Sequence, residues 1–281
     1  MEDKLVTASA VCDTLRTLGV QAGDTILVHS SLRSLGPVDG GAAAVIVGLE
    51  QAIGRRGTLV MPTLCQIDFE NSYRTWYMDK PSDVGYLTEF FRKQPYVYRS
   101  NHATHSVAAR GPLAYYLTCE HGAYGPHLCP FGEYAFADSS PWMKLYHSDA
   151  KIIFIGVSTR FNTMKHLVEA RYTESLLAAI PNADQREALR AQVATFGHFT
   201  GREIWPLYSG QQMHEEMERA GRIHHAFCGK AEILLVRLRS FCDACYEALA
   251  AEPERWCNEA TMAWIKACQA AAASSAAQPL P

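Results

Sequence analysis

The chain has 281 residues, 48% of them hydrophobic, which is enough to bury an ordinary core in one large domain of enzyme size. Its formal charge is −3 and no run of Lys or Arg exceeds a pair, so the basic footprint that a phosphate backbone requires is missing and nucleic acid is excluded as a partner. The start, MEDKLVTASAVCDTL, is acidic and then amphipathic rather than leader-like, and no stretch approaches the ~20 apolar residues of a membrane span, so a cytoplasmic protein with no membrane partner is expected.

In chain order, Val11, Leu15 and Leu18 fall at helical spacing between about Ser9 and Val20, and TILVHSS follows as a buried strand. Gly40-Gly41 opens AAAVIVGLEQAI, a helix apolar on most sides, and Gly57 precedes TLVMPTL, a second buried strand. The stretch from Gln66 to Asp83 is polar, aromatic and aperiodic, and reads as a long loop. A helix at VGYLTEFFRKQ, strand and loop from Arg99 to Gly111, and a short helix at PLAYYLTCEH come next. After a Gly/Pro-rich loop, Ser140 caps a helix that has Pro141 at its first position. KIIFIGVS is a strong strand leading to NTMKHLVEA, a helix capped by Asn162. Beyond Tyr172 the pattern weakens to charged helical segments, until AEILLVRLRS and FCDACYEALAAE add a strand and a helix.

Strand alternating with helix predicts an α/β fold: a mostly parallel central sheet with helices on both faces, plus a smaller helical subregion, with ligands outside the carboxyl ends of the strands. Residues 1–270 are expected to form a single domain with a helical insertion at about 172–229, and 271–281 a flexible tail. Nine Cys, an odd number, read as free thiols, and Cys242 and Cys245 as one face of a helix rather than half of a zinc ribbon.

Four segments could carry chemistry. The turn His29-Ser30-Ser31-Leu32-Arg33 follows a buried strand and suits an amide- or phosphate-rich ligand, although a capping turn explains it equally. His102 and His105 crowd an element with Ser106, as metal ligands or as structural hydrogen-bonders. The Phe131-Gly132 and Ser140–Leu145 segment needs no function. His166 and Glu169 stand at i and i+3 on one helical face, so the carboxylate can hold one ring nitrogen and leave the other as a base.

Together and in this order, VHSSLRSLG, GTLVMPT, PSDVGYLTEFFR running into YRSNHATHSVAARG, FG…SPWMKL, and IIFIGVS…FNTMKHLVE resemble the aminoglycoside 3-N-acetyltransferase family over about Asp24 to Arg171. One departure is His102-Ala103, where the family commonly has His-Pro. The resemblance implies acetyl transfer from acetyl-CoA, as cosubstrate and without a metal, to an amine by direct attack in a ternary complex. His166 and Glu169 match the family's catalytic histidine and its partner acid, and His29 a second histidine of the site. By the same likeness Ser30, Ser31, Leu32 and Arg33 contact CoA, with Ser106 and Val107 on the opposite wall. Backbone N–H groups of the His29–Ser31 turn or the Thr163 hydroxyl are candidate oxyanion donors.

An aminoglycoside acceptor, a polycation acetylated at its 3-amino position, calls for a carboxylate wall, for which Asp68, Glu70, Asp79 and Glu174, with Asp83, are the candidates. Tyr73, Trp76 and Tyr77 would equally suit a smaller biosynthetic amine. A homodimer is compatible with the sequence. Two other classes make distinct expectations: a zinc hydrolase built on His102, His105 and His166, and a binding protein that keeps a CoA cleft without turnover.

Overall fold

The apolar runs become the strands of one seven-stranded sheet in the order β3-β4-β2-β1-β5-β7-β6. The computed structural model describes residues 5–67, 74–122, 134–194 and 210–276. The described elements are α1 (Ala8–Thr17), β1 (Thr25–Ser30), α2 (Gly41–Ile53), β2 (Thr58–Pro62), α3 (Tyr86–Arg92), β3 (Tyr98–Arg99), β4 (Val107–Arg110), α4 (Ala114–Thr118), α5 (Pro141–His147), β5 (Lys151–Ile155), α6 (Met164–Ala178), α7 (Ala183–Ala194), α8 (Gly210–Arg219), β6 (His224–Cys228), β7 (Ala231–Arg237), α9 (Leu238–Ala251), α10 (Pro253–Trp256) and α11 (Glu259–Ala276).

The expected parallel arrangement holds at the centre, where β1 pairs with β2 and with β5 in parallel. The outer pairs β2–β4, β3–β4, β5–β7 and β6–β7 are antiparallel, so the sheet as a whole is mixed. Fully buried strands read as the same continuous apolar run in either direction, which is why sequence pattern does not reveal this. The chain leaves β1 for β2 on one side and returns to pair β5 on the other. The carboxyl end of β1 is therefore a topological switch point, where α/β sheets open a crevice.

Helices cover both faces, as expected. Ile26, Val28, Leu59, Met61, Ile153 and Ile155 point to the face packed by Val11 and Leu15 of α1, Val45 and Leu49 of α2, and Phe91 of α3. Leu27, Val60, Ile152 and Phe154 point to the other, against Trp142 of α5, Leu167 and Val168 of α6, and Phe241 of α9. The two-residue period of each strand sorts these side chains. Ser140 caps α5 as expected, its side chain accepting from the Met143 N–H with Pro141 in the first turn. Cys242 and Cys245 are both buried in the core beside α6, and burial pushes the Cys242 thiol up.

Two features are new relative to the sequence reading. β6 forms a hairpin with β7 through Gly229-Lys230; its outward residues, such as Phe227 at 70% exposed, hide the apolar alternation. Helix α11 runs to Ala276, into the stretch expected to be a tail, because Trp264, Ile265 and Cys268 are buried, and Trp264 donates to the Leu189 carbonyl at 2.9 Å. Residues 277–281 lie outside the described residues. No described helix is long and apolar enough to cross a membrane.

Candidate active site

At the carboxyl ends of β1, β2 and β5 lies a cleft of about 420 Å³. His29 and Ser30 come from the last residues of β1, Pro62 from the end of β2 and Leu64 from just beyond it, Asn162 and Thr163 from the approach to α6, and His166 from its first turn; His105, just before β4, closes the wall.

Strand register places His29 beside Phe154, and their rings stack at 5.3 Å with 12° between planes. His29 thus points to the same sheet face that carries α6. Burial lowers its pKa to about 4, so the ring is neutral at pH 7, and its Nε2 is buried with no hydrogen-bond partner among the described residues. The residue as a whole keeps some solvent contact, so it is this nitrogen, rather than the whole side chain, that is sealed.

His166 stands in the first turn of α6, and its Nδ1 lies 2.9 Å from Oε2 of Glu169 one turn on. Glu169 is 0% exposed, and burial raises its carboxyl pKa well above the usual range, with Lys165 opposing. An Nδ1–H donated to Oε2 leaves Nε2 as the basic nitrogen. The positive end of the helix dipole disfavours a cation here, so an imidazolium depends on Glu169. The two residues share a helical face because the chain turns into α6 at Asn162, whose Oδ1 accepts the Met164 N–H at 3.0 Å. Phe136 packs on the rings of His166 and His105, at 6.0 and 5.2 Å between centroids, and shields the pair from one side.

The remaining predicted residues fall into three groups. Ser30 lines the cleft, whereas Ser31, Leu32 and Arg33 form the adjoining 3₁₀ turn, with Arg33 exposed. The Ser31 N–H is spent on the Ile155 carbonyl at 2.8 Å, which removes it as an oxyanion donor. Ser106 and Val107 are fully buried behind the cleft and do not line it; Val107 belongs to the core, and the Ser106 hydroxyl bonds the Thr63 carbonyl at 2.8 Å. Asp68 and Glu70 lie outside the described residues. Asp79 is exposed and apart from the cleft lining, and Asp83 accepts the Gln66 and Ile67 N–H groups at 2.6 and 2.7 Å. Glu174 lines a separate groove with Asp138 and Tyr246, its carboxylate held by Arg190 at 2.6 and 3.0 Å.

His102 does not join His105 and His166 as a zinc ligand set. Its Nδ1 accepts the N–H groups of Thr104 and His105 at 3.2 and 3.0 Å, and its ring stacks on His121 at 4.6 Å. Among the described residues no group of three or more His, Cys, Asp or Glu is arranged to hold a metal.

Sequence reasoning missed Arg99. Its guanidinium donates to the carbonyls of Met78, Lys80 and Thr63 at 2.8, 2.5 and 2.7 Å and lies over Trp76 at 4.7 Å, fastening the loop to the end of β2. It also missed Arg160 and Lys165, the cations of the cleft lining. Arg160 lies six residues before His166 and Lys165 immediately before it, along the same excursion after β5, which was the available signal.

A family model described as aminoglycoside 3-N-acetyltransferase matches residues 27–250. Aminoglycoside N(3)-acetyltransferase III of Salmonella sp is 33% identical over 194 residues, 63% of this chain; the matched part spans 62% of that relative's length. The crystal structure of the aminoglycoside acetyltransferase AAC(3)-IVa apoenzyme is similar in fold, with a TM-score of 0.69 at 21% identity over 96% of this chain and 100% of the other. A structure titled AAC-IIIb binary with CoASH gives a TM-score of 0.67 at 19% identity over 91% and 99%. With a model match over most of its length, the chain belongs to the aminoglycoside 3-N-acetyltransferase family.

Proposed function

We propose that this protein transfers the acetyl group of acetyl-CoA to a primary amine of an aminoglycoside, at the 3-amino position, by direct attack within a ternary complex. The observation that carries the reading is the His166–Glu169 pair, joined at 2.9 Å, with His166 lining the cleft and Glu169 buried behind it. The family and the CoASH-bound neighbour support the cosubstrate. So does the lining, which pairs apolar Val28, Leu64 and Val84, suited to a pantetheine arm, with the cations Arg160 and Lys165, suited to phosphates.

The neutral form of the amine attacks the thioester carbon, its nitrogen must lose a proton as the C–N bond forms, and imidazole is the side chain whose ordinary pKa of ~6.5 fits that transfer. His166 Nε2 takes the proton, and Glu169 holds the ring by Nδ1 and balances the positive charge that forms. As the C–S bond breaks, the same imidazolium can return the proton to the departing thiolate. A pKa lowered to about 4 makes His29 a weaker base than an ordinary imidazole, so we assign it a hydrogen-bonding part rather than proton transfer.

A second reading, a biosynthetic amine of lower charge, is favoured by one observation: the described charged groups lining the cleft are cations, and Glu174 is already paired with Arg190. Thiol release from acetyl-CoA, measured against aminoglycosides and simple amines, tests both. Turnover with aminoglycosides that is lost in His166→Ala supports the first reading. Turnover only with simple amines supports the second, and no turnover with any amine would overturn both.

A further inference from the structure

We propose that the side-chain amide of Asn162 is the donor that binds the thioester carbonyl oxygen and stabilises the oxyanion formed from it; the inference rests on the acetyl-transfer reading above. Asn162 lines the cleft and is only 1% exposed. Its orientation is fixed: a backbone N–H can only donate, so the atom facing the Met164 N–H at 3.0 Å is Oδ1, and the other is the amide nitrogen. That Nδ2 is buried and has no hydrogen-bond partner among the described residues. A sealed amide N–H2 with nothing to bond is costly in a folded protein and calls for a ligand acceptor.

Position supports the same assignment. The backbone at Asn162 is pinned on both sides, its N–H donating to the Thr159 carbonyl at 2.9 Å and its carbonyl accepting the Lys165 N–H at 3.2 Å. Asn162 stands in extended backbone just before Thr163, the N-cap of α6, and His166 in the first turn of that helix, and both side chains line the same cleft. Of the other candidates, the Ser31 N–H is already engaged by the Ile155 carbonyl.

The step then balances. The amine lone pair forms the C–N bond while the carbonyl π pair moves to oxygen, where Asn162 Nδ2–H donates to it; His166 Nε2 accepts the ammonium proton. The oxygen pair re-forms C=O, the C–S bond breaks with its electrons on sulfur, and the thiolate takes the proton from His166.

Asn162→Asp and Asn162→Ser both keep an oxygen to accept the Met164 N–H and lose the amide donor. Each should lower kcat by about 10²–10³-fold, the usual effect of removing one oxyanion donor, with CoASH affinity within twofold and, for the uncharged serine variant, thermal melting nearly unchanged. The carbonyl stretch of ¹³C-labelled acetyl-CoA bound to the wild type should lie at lower frequency than when free, and should move back in both variants. This readout needs no acceptor, so it judges Asn162 even if no amine supports turnover. A stretch unchanged between wild type and variants, kcat within threefold of wild type, or a kcat loss matched by an equal loss of CoASH affinity would each overturn the assignment.

Discussion

Replacing His29 by Gln should flatten the acid side of the stability profile. Burial beside Phe154 holds the native imidazole at a pKa of about 4, whereas the unfolded chain titrates near the ordinary 6.5. Between those values the unfolded chain carries a proton that the native state rejects, so native stability falls as pH drops through the window and is regained above 6.5. At ~1.4 kcal/mol per pH unit the interval corresponds to at most roughly 3.4 kcal/mol. Solvent contact at the cleft mouth trims this to roughly 2–3 kcal/mol, on the order of 5 °C in Tm for a domain of this size. Urea unfolding of both proteins at pH 7.5 and pH 4.5 measures the effect, because every other titrating group is common to the two. The variant should close most of that gap on the wild type at the lower pH. An equal stability difference at both pH values, or a His29 ring-proton NMR signal that titrates near 6.5, would refute the reasoning.

Other consequences are equally open to measurement. Glu169→Gln should lower kcat at least tenfold. At pH 8 it should be as stable as wild type or more so, because the raised native pKa means that the stability of the protonated carboxyl is lost as pH rises; any advantage should shrink toward pH 4.5, and a large stability loss at pH 8 would contradict this. Arg99→Ala takes its donor from the Met78 and Lys80 carbonyls and leaves the Thr63 carbonyl to the Ser106 hydroxyl, and should cost about 2–4 kcal/mol and speed tryptic cleavage after Arg74; unchanged melting and cleavage would argue against its role as a fastening. Gly156→Ala forces a positive φ of 62° on a residue with a Cβ that collides with the Ser34 side chain. It should raise KM for acetyl-CoA about tenfold by displacing the turn after His29, and an unaltered KM would show that the turn tolerates the shift.

The parts of the site that the sequence reveals are those set by local chemistry. His166 and Glu169 lie one turn apart, so a spacing of three residues suffices to pair them, and the apolar run KIIFIG announces the strand that delivers them. His29 is legible as the end of TILVHSS, but its stacking on Phe154 depends on the β1–β5 register, which joins residues 125 positions apart. The role of Arg99 is invisible for the same reason: its acceptors at Thr63, Met78 and Lys80 are backbone carbonyls, which every residue carries. Ser106 was expected on a wall of the site by family likeness alone, and a likeness of motif does not show that its hydroxyl turns inward onto the Thr63 carbonyl. Glu174 looked like a lone acid until α7 folded back to bring Arg190 against it.

The hairpin of β6 and β7 has a consequence for the order in which the molecule is assembled. The Lys230 N–H donates to the Leu35 carbonyl at 3.1 Å, and the Gly156 N–H to the Glu232 carbonyl at 2.8 Å, so the turn that follows His29 near the start of the chain rests on residues from its last quarter. Such distant pairings form late, after the entropy of closing a long loop has been met. A nascent chain still holding β7 inside the ribosome has every residue of the cleft outside and no means to shape it. The cleft therefore takes shape only after β7 has been made, and truncation just before Ala231 should leave a chain with His29, Asn162, His166 and Glu169 intact in sequence and no activity.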